Sequence, residues 1–164
     1  MPKPYCLDSN IFIQAQNGPY AMDIVPGFWT WLDKESASGR IVSCRTVYEE
    51  MVGFGDELAV WVKDRDGTPF FQPPAAPVQA AYQPIAEYVV KTYPQHNASE
   101  FLKGADAWLI ARAQVDGMIV VTGEQLVDAT SKKPKIPNVC KQFGVEYIGP
   151  YEMLRQLGAK FITM

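Results

Sequence analysis

Short apolar runs alternate along this chain with longer stretches of helical periodicity. Tyr5 to Leu7 is the first run, and it stops at Asp8-Ser9-Asn10. Ser9 or Asn10 is expected to cap a helix there, with Ile11, Phe12 and Ile13 on its buried side. Gly18 and Pro19 interrupt it. Ile24, Phe28, Trp31 and Leu32 fall at helical spacing, and Gly39 closes that helix. Ile41 to Ser43 reads as a second strand, and Thr46 to Met51 as a helix. Beyond a break at Gly53 and Gly55, Asp56 to Asp64 reads as another helix. Phe70-Phe71 reads as a small edge strand ended by Pro73 and Pro74. The proline-rich stretch that follows still spaces Val78, Ala81, Tyr82, Ile85, Tyr88 and Val89 by threes and fours. That predicts a helix from near Pro77 that tolerates or bends at Pro84.

Pro94 to Ser99, with His96, reads as a polar loop. Ala105 to Val115 is an amphipathic helix, and Met118 to Val121 is apolar enough for a central parallel strand buried on both faces. A short helix over Val139 to Phe143 opened by Pro137, a strand over Val145 to Ile148 and a helix over Tyr151 to Leu157 follow. Strand and helix alternate throughout. This predicts one α/β domain over residues 1–164, a three-layer α/β/α sandwich with a mostly parallel central sheet.

The 164 residues are 48% hydrophobic and 12% aromatic, enough for a core without staples. Trp29, Trp31, Trp61 and Trp108 read as core, as do Cys44 and Cys140. Three separated cysteines and one histidine give neither a zinc framework nor a disulfide scaffold. With no signal-peptide pattern and no apolar run of about 20 residues, a cytoplasmic protein without a membrane span is expected. A formal net charge of -3 argues against a protein that coats nucleic acid non-specifically. It leaves room for an enzyme whose acidic pocket is offset by metal ions. Neither GxxxxGK[ST] nor GxGxxG is present, so nucleotide-cofactor use has no basis.

Ligands of open parallel sheets bind beyond the carboxyl ends of the strands. The first strand runs into Asp8, and Val120-Val121 runs into Thr122-Gly123-Glu124. Asp106 lies in the first turn of a helix, and Glu49 and Glu50 lie on the helix after the second strand. Carboxylates gathered at one edge repel each other and resist desolvation, so a divalent cation would have to neutralise them. All-oxygen donors point to Mg2+ or Mn2+ rather than zinc. The chemistry this suits is phosphodiester hydrolysis, in which the metal acidifies a water and stabilises charge on the phosphate. Spacing alone does not single it out. Asp8, Ser9 and Thr122 could equally cap backbone, and Glu50 could be a solvated helix acid.

The runs YCLDSNIFI, VYEEM, GADAWLIARAQ and VVTGE stand in the order and context of the PIN-domain family. With MDIVPGFWTWL and KIPNVC, the chain resembles, over nearly its whole length, a bacterial and archaeal branch of unknown function. The best-known relatives are toxin ribonucleases of toxin–antitoxin pairs. The resemblance implies metal-binding catalytic acids at Asp8, Glu50, Asp106 and Glu124, supported by Ser9, Asn10 and Thr122. Glu49 is an alternative to Glu50, and Asp128 a further acid held loosely. Glu124 stands where the family has Asp, one methylene shorter, so its metal contact could run through a water. Lys132, Lys133 and Lys135 are the expected phosphate contacts. Arg45 and Arg112 could contact phosphate too, or pair with a carboxylate of the cluster.

What the resemblance implies is a Mg2+- or Mn2+-dependent endoribonuclease acting on RNA, with a homodimer and a small antitoxin as expected partners. The alternative is a catalytically weak or inactive PIN-like module that binds RNA or protein, motivated by Glu124 and the acidic balance. A phosphatase using Asp8 as nucleophile would want a second Asp two residues on, where this chain has Asn10.

Overall fold

The computed structural model describes residues 2–163. Five strands, β1 (Tyr5–Leu7), β2 (Ile41–Cys44), β3 (Phe71–Gln72), β4 (Ile119–Val121) and β5 (Tyr147–Ile148), form one sheet. Their order is β3-β2-β1-β4-β5, and every pairing is parallel. Every residue of β1, β2 and β4 is buried. Helices on both faces leave these strands no wet side, hence continuous apolar runs instead of alternation.

Helices α1 (Ser9–Gln16), α2 (Pro26–Ala37), α3 (Arg45–Val52) and α4 (Glu57–Lys63) belong to the first half of the chain. Helices α5 (Ala76–Thr92), α6 (Gln95–Lys103), α7 (Asp106–Asp116), α8 (Ile136–Gln142) and α9 (Pro150–Gln156) belong to the second. The α1, α3 and α4 helices pack on one another, whereas α7 packs on β1, β2 and β4 and against α5, α6 and α8. The result is the expected α/β/α sandwich. Small residues Ala105, Ala107, Ala111 and Ala113 are buried on and beside α7, which lets that helix lie close to the sheet. On the α1 side, the Phe12 ring sits 5.9–6.0 Å from Trp61, Phe70 and Phe71. Truncating a ring so enclosed costs about 3–5 kcal/mol.

Several boundaries differ from the sequence expectation. The 94–99 stretch is not a loop: α6 covers most of it, burying Ala98 and Phe101 and exposing His96. The α2 helix starts at Pro26, so Ile24 lies outside it and is exposed. Proline steers the residue before it away from helical geometry, and Val25 has φ −130° and ψ 69°. At α1 the N-cap residue is Asp8, with no side-chain cap bond, rather than Ser9 or Asn10. Its carboxylate is engaged elsewhere.

Candidate active site

Strand register places the first two groups. Leu7 lies opposite Val121, so Asp8 and Thr122 are the next residues out on adjacent strands. The ladder runs one step further: the Asp8 N–H donates to the Val121 carbonyl and the Thr122 N–H to the Ile148 carbonyl, both at 3.0 Å. The Thr122 hydroxyl donates to Asp8 Oδ2 (3.1 Å) and accepts from the Glu124 N–H (3.1 Å). One hydroxyl therefore holds the first acid and shapes the turn that carries the last. Strand order reverses direction between β1 and β4, the position where open α/β sheets leave a crevice.

Glu50 comes from α3 and is fastened on two sides. The Ser9 hydroxyl donates to Oε2 (3.1 Å), and the Ala105 N–H donates to Oε1 (2.5 Å). The second bond ties α3 to the residue just before Asp106. Gly104 permits this approach, because a Cβ there would lie 3.2 Å from Glu50 Oε1. Its φ of −89° is open to any residue, so closeness is what the glycine supplies. Glu124 makes the equivalent bond at another helix start, accepting from the Ile136 N–H at 2.8 Å. Both glutamates thus answer N–H groups that a helix leaves unpaired at its start.

The electrostatics are those of crowded anions. Asp8 is 2% exposed. Burial first, and then the charges of Glu124 and Glu50, push its carboxyl up to about 6, against the Thr122 hydroxyl and the nearby Asn10 N–H, which draw it down. Asp106, in the first turn of α7, is pushed up to about 8 by burial and then by Asp8, Glu124 and Glu50. Lys135 offsets part of that. Four acids from four separate segments thus share one electrostatic neighbourhood.

Among the described residues, no group of three or more His, Cys, Asp or Glu side chains is arranged to hold a metal ion. Glu50 and Glu124 each commit an oxygen to a backbone N–H. The donor set fits a hard dication in chemistry: all oxygen, mutually repelling, and costly to keep ionised without a counter-charge.

A model of the domain of unknown function DUF4411 matches residues 5–161. The chain belongs to this family. No curated protein sequence matches it. Two solved structures share the fold of this DUF4411 chain at 19% identity and a TM-score of 0.52. One is FitAB bound to an IR36 DNA fragment, matched over 90% of this chain and 95% of that one. The other is FitAcB from Neisseria gonorrhoeae, matched over 90% and 98%. The architecture of the DUF4411 chain is PIN-like.

The remaining expected site residues scatter. Glu49 points outward, exposed, 3.8 Å from Arg45. Asp128 is exposed, and its carboxylate closes a turn on the N–H and hydroxyl of Thr130 (2.8 Å each). Arg45 pairs with Asp66 at 2.5 Å and lies over the Tyr48 ring. Arg112 is buried, its guanidinium taken by Asp116 and Gln72. Neither arginine pairs with a cluster carboxylate. Lys135 precedes α8 close enough to act on Asp106, whereas Lys132 and Lys133 are exposed, the former's carbonyl held by Asn97 (2.8 Å).

Two residues of this edge escaped the sequence reading, Gly104 and Gln14. The Gln14 Oε1 lies 3.1 Å from where a Cβ would stand on Gly123. Its signal was available: Gln14 is one helical turn after Asn10 on α1.

Proposed function

We propose that this chain, as a single PIN-like domain, is a Mg2+- or Mn2+-dependent endoribonuclease that hydrolyses phosphodiester bonds. The observation that carries the proposal is the set of four carboxylates, Asp8, Glu50, Asp106 and Glu124, that act on one another at the carboxyl edge of a parallel sheet. Asp8 and Asp106, the two pushed up, would hold the cation first, with Glu50 and Glu124 joining through the oxygens not bound to backbone. When bound, such a cation supplies Lewis-acid activation of water and neutralises charge gathering on the phosphate. Thr122 and Ser9 keep the carboxylates oriented, and Lys135, whose charge acts on Asp106, would meet a phosphate at this edge.

Cleavage of a mixed RNA and DNA panel with Mn2+ or Mg2+ tests this. Asp8→Asn (D8N) and D106N should lose at least about a hundredfold of the rate, since a dication's contribution to such chemistry is several kcal/mol. Wild-type rates in both variants would end the proposal. Calorimetry with Mn2+ should show binding that D8N loses.

A second reading is favoured by one observation: Glu50 and Glu124 are each satisfied by a backbone N–H. In that case the chain is a catalytically weak or inactive module that binds RNA or protein, and Mn2+ calorimetry would be silent. For partners we propose a small antitoxin-like protein and a second copy of the chain, with FitAB as the structural precedent for a paired assembly on nucleic acid. Size-exclusion of the chain co-expressed with the product of the adjacent reading frame tests both.

A further inference from the structure

We propose that an apolar cavity beside the carboxylates receives one unpaired nucleobase of a single-stranded RNA substrate. This rests on the nuclease reading above. The cavity, of about 200 Å3, lies between α1, the 17–25 segment and α9, and its walls include Ile11, Gln14, Tyr20, Phe28, Tyr151 and Met153.

Position comes first. The β4 and β5 strands pair with Val121 opposite Ile148, so Pro150 and Tyr151 leave the sheet at the same edge as Thr122. Gln14 belongs to both places, lining the cavity and lying against Gly123 between Thr122 and Glu124. Gln14 therefore borders both the cavity and the turn that carries Glu124.

Chemistry comes second. The lining holds no charged side chain, so it suits neither a phosphate nor a basic peptide side chain. Aromatic rings with one amide are what holds a splayed base, the rings by stacking and the amide by reading an edge. Glutamine supplies both a donor and an acceptor. A base inside a duplex would first have to leave its stack, which selects single strands.

Rigidity comes third. Tyr20 stacks on Phe28 with centroids 4.7 Å apart. The Trp29 indole N–H donates to the Tyr20 carbonyl (2.7 Å), and the Met22 N–H donates to Gln16 Oε1 (2.9 Å). The wall formed by 17–25 is thus fixed in advance, so little ordering is needed on binding. Tyr151, 54% exposed, has a ring free to lie over an entering base.

Fluorescence anisotropy with a labelled single-stranded RNA decamer in Ca2+ buffer, paired with cleavage in Mn2+, tests this on the full chain. Tyr151→Ala (Y151A) should weaken RNA binding about tenfold, in line with the loss of one stacked base. Gln14→Ala should weaken it less, and Y151F, which keeps the ring, should bind as the wild type. With single abasic sites scanned along the RNA, one position should weaken wild-type binding while leaving Y151A binding unchanged. In cleavage, Y151A should raise KM and spare kcat. Cleavage and binding unchanged in Y151A and Q14A would overturn the cavity proposal and leave the nuclease standing. A wild type that neither binds nor cleaves RNA would sink both. RNA binding unchanged but self-association lost in Y151A would make the cavity a protein contact, also overturning it.

Discussion

Asp106→Asn (D106N) should raise the melting temperature of the protein in a chelating buffer, and by more at pH 8 than at pH 5. Burial and the charges of Asp8, Glu124 and Glu50 lift this carboxyl from 3.8 to about 8. Below the unfolded value both states hold the proton and nothing is lost. Above it the unfolded chain releases its proton first, so stability falls as the pH climbs towards the folded value. From 3.8 to pH 7, at about 1.36 kcal/mol per unit, the cost reaches about 4 kcal/mol. Asp8, lifted to about 6, acts in the same direction over a lower window, and because the two repel each other their costs overlap rather than add. Asparagine keeps the shape and does not ionise. At about 2–4 °C per kcal/mol for a chain of this size, recovering half of that cost would raise the melting temperature by about 4–8 °C at pH 7. Scanning calorimetry from pH 5 to pH 8 in EDTA reads this directly. Added Mn2+ should then stabilise the wild type more than D106N, since the cation replaces the missing counter-charge. Parallel curves for the two proteins across that range would refute the electrostatic account of the site.

Three further outcomes follow from named contacts. Glu50→Ala leaves the Ala105 N–H without its acceptor and the Ser9 hydroxyl with only a long bond to Asp8 Oδ1 (3.4 Å), and should cost about 1–3 kcal/mol in urea unfolding, with E50Q losing less than half as much; equal losses would contradict the bond to Ala105. Thr122→Val removes a donor to Asp8 and should move that carboxyl further above about 6, read by NMR titration in EDTA; a downward move would contradict it. Arg65→Ala removes a two-pronged bond to Asp33 (2.6 and 2.5 Å) and a cation over the Trp61 ring, and should cost about 1–2 kcal/mol by thermal melting; a change under about 0.3 kcal/mol would show the pair to be idle.

The fold was legible because its central strands are buried on both faces, and such strands announce themselves as unbroken apolar runs. The α6 helix was not, because its apolar side consists only of Ala98, Phe101 and the half-buried Leu102, and its first turn is wholly polar. Pro94 and the Gln-His-Asn run then read as a break. At the site, Asp8 and the Thr122 turn could be placed from strand ends alone. Choosing between Glu49 and Glu50 could not, since spacing gives a helix's faces but not which face meets β1. The bond from Ser9 settles which acid faces inward. Arg112 stands near an acidic motif in sequence, which left phosphate or a cluster carboxylate open as its partner, whereas it is buried and its partner Asp116 lies one turn along its own helix.

The bond between Thr122 and Asp8 spans 114 positions of chain. A ribosome must therefore deliver more than a hundred further residues before the first acid can meet the hydroxyl that orients it. Long-range parallel pairing of this sort forms late and slowly. A chain cut short before residue 122 carries Asp8 without the hydroxyl that orients it, so this edge of the sheet assembles only once β4 has been made.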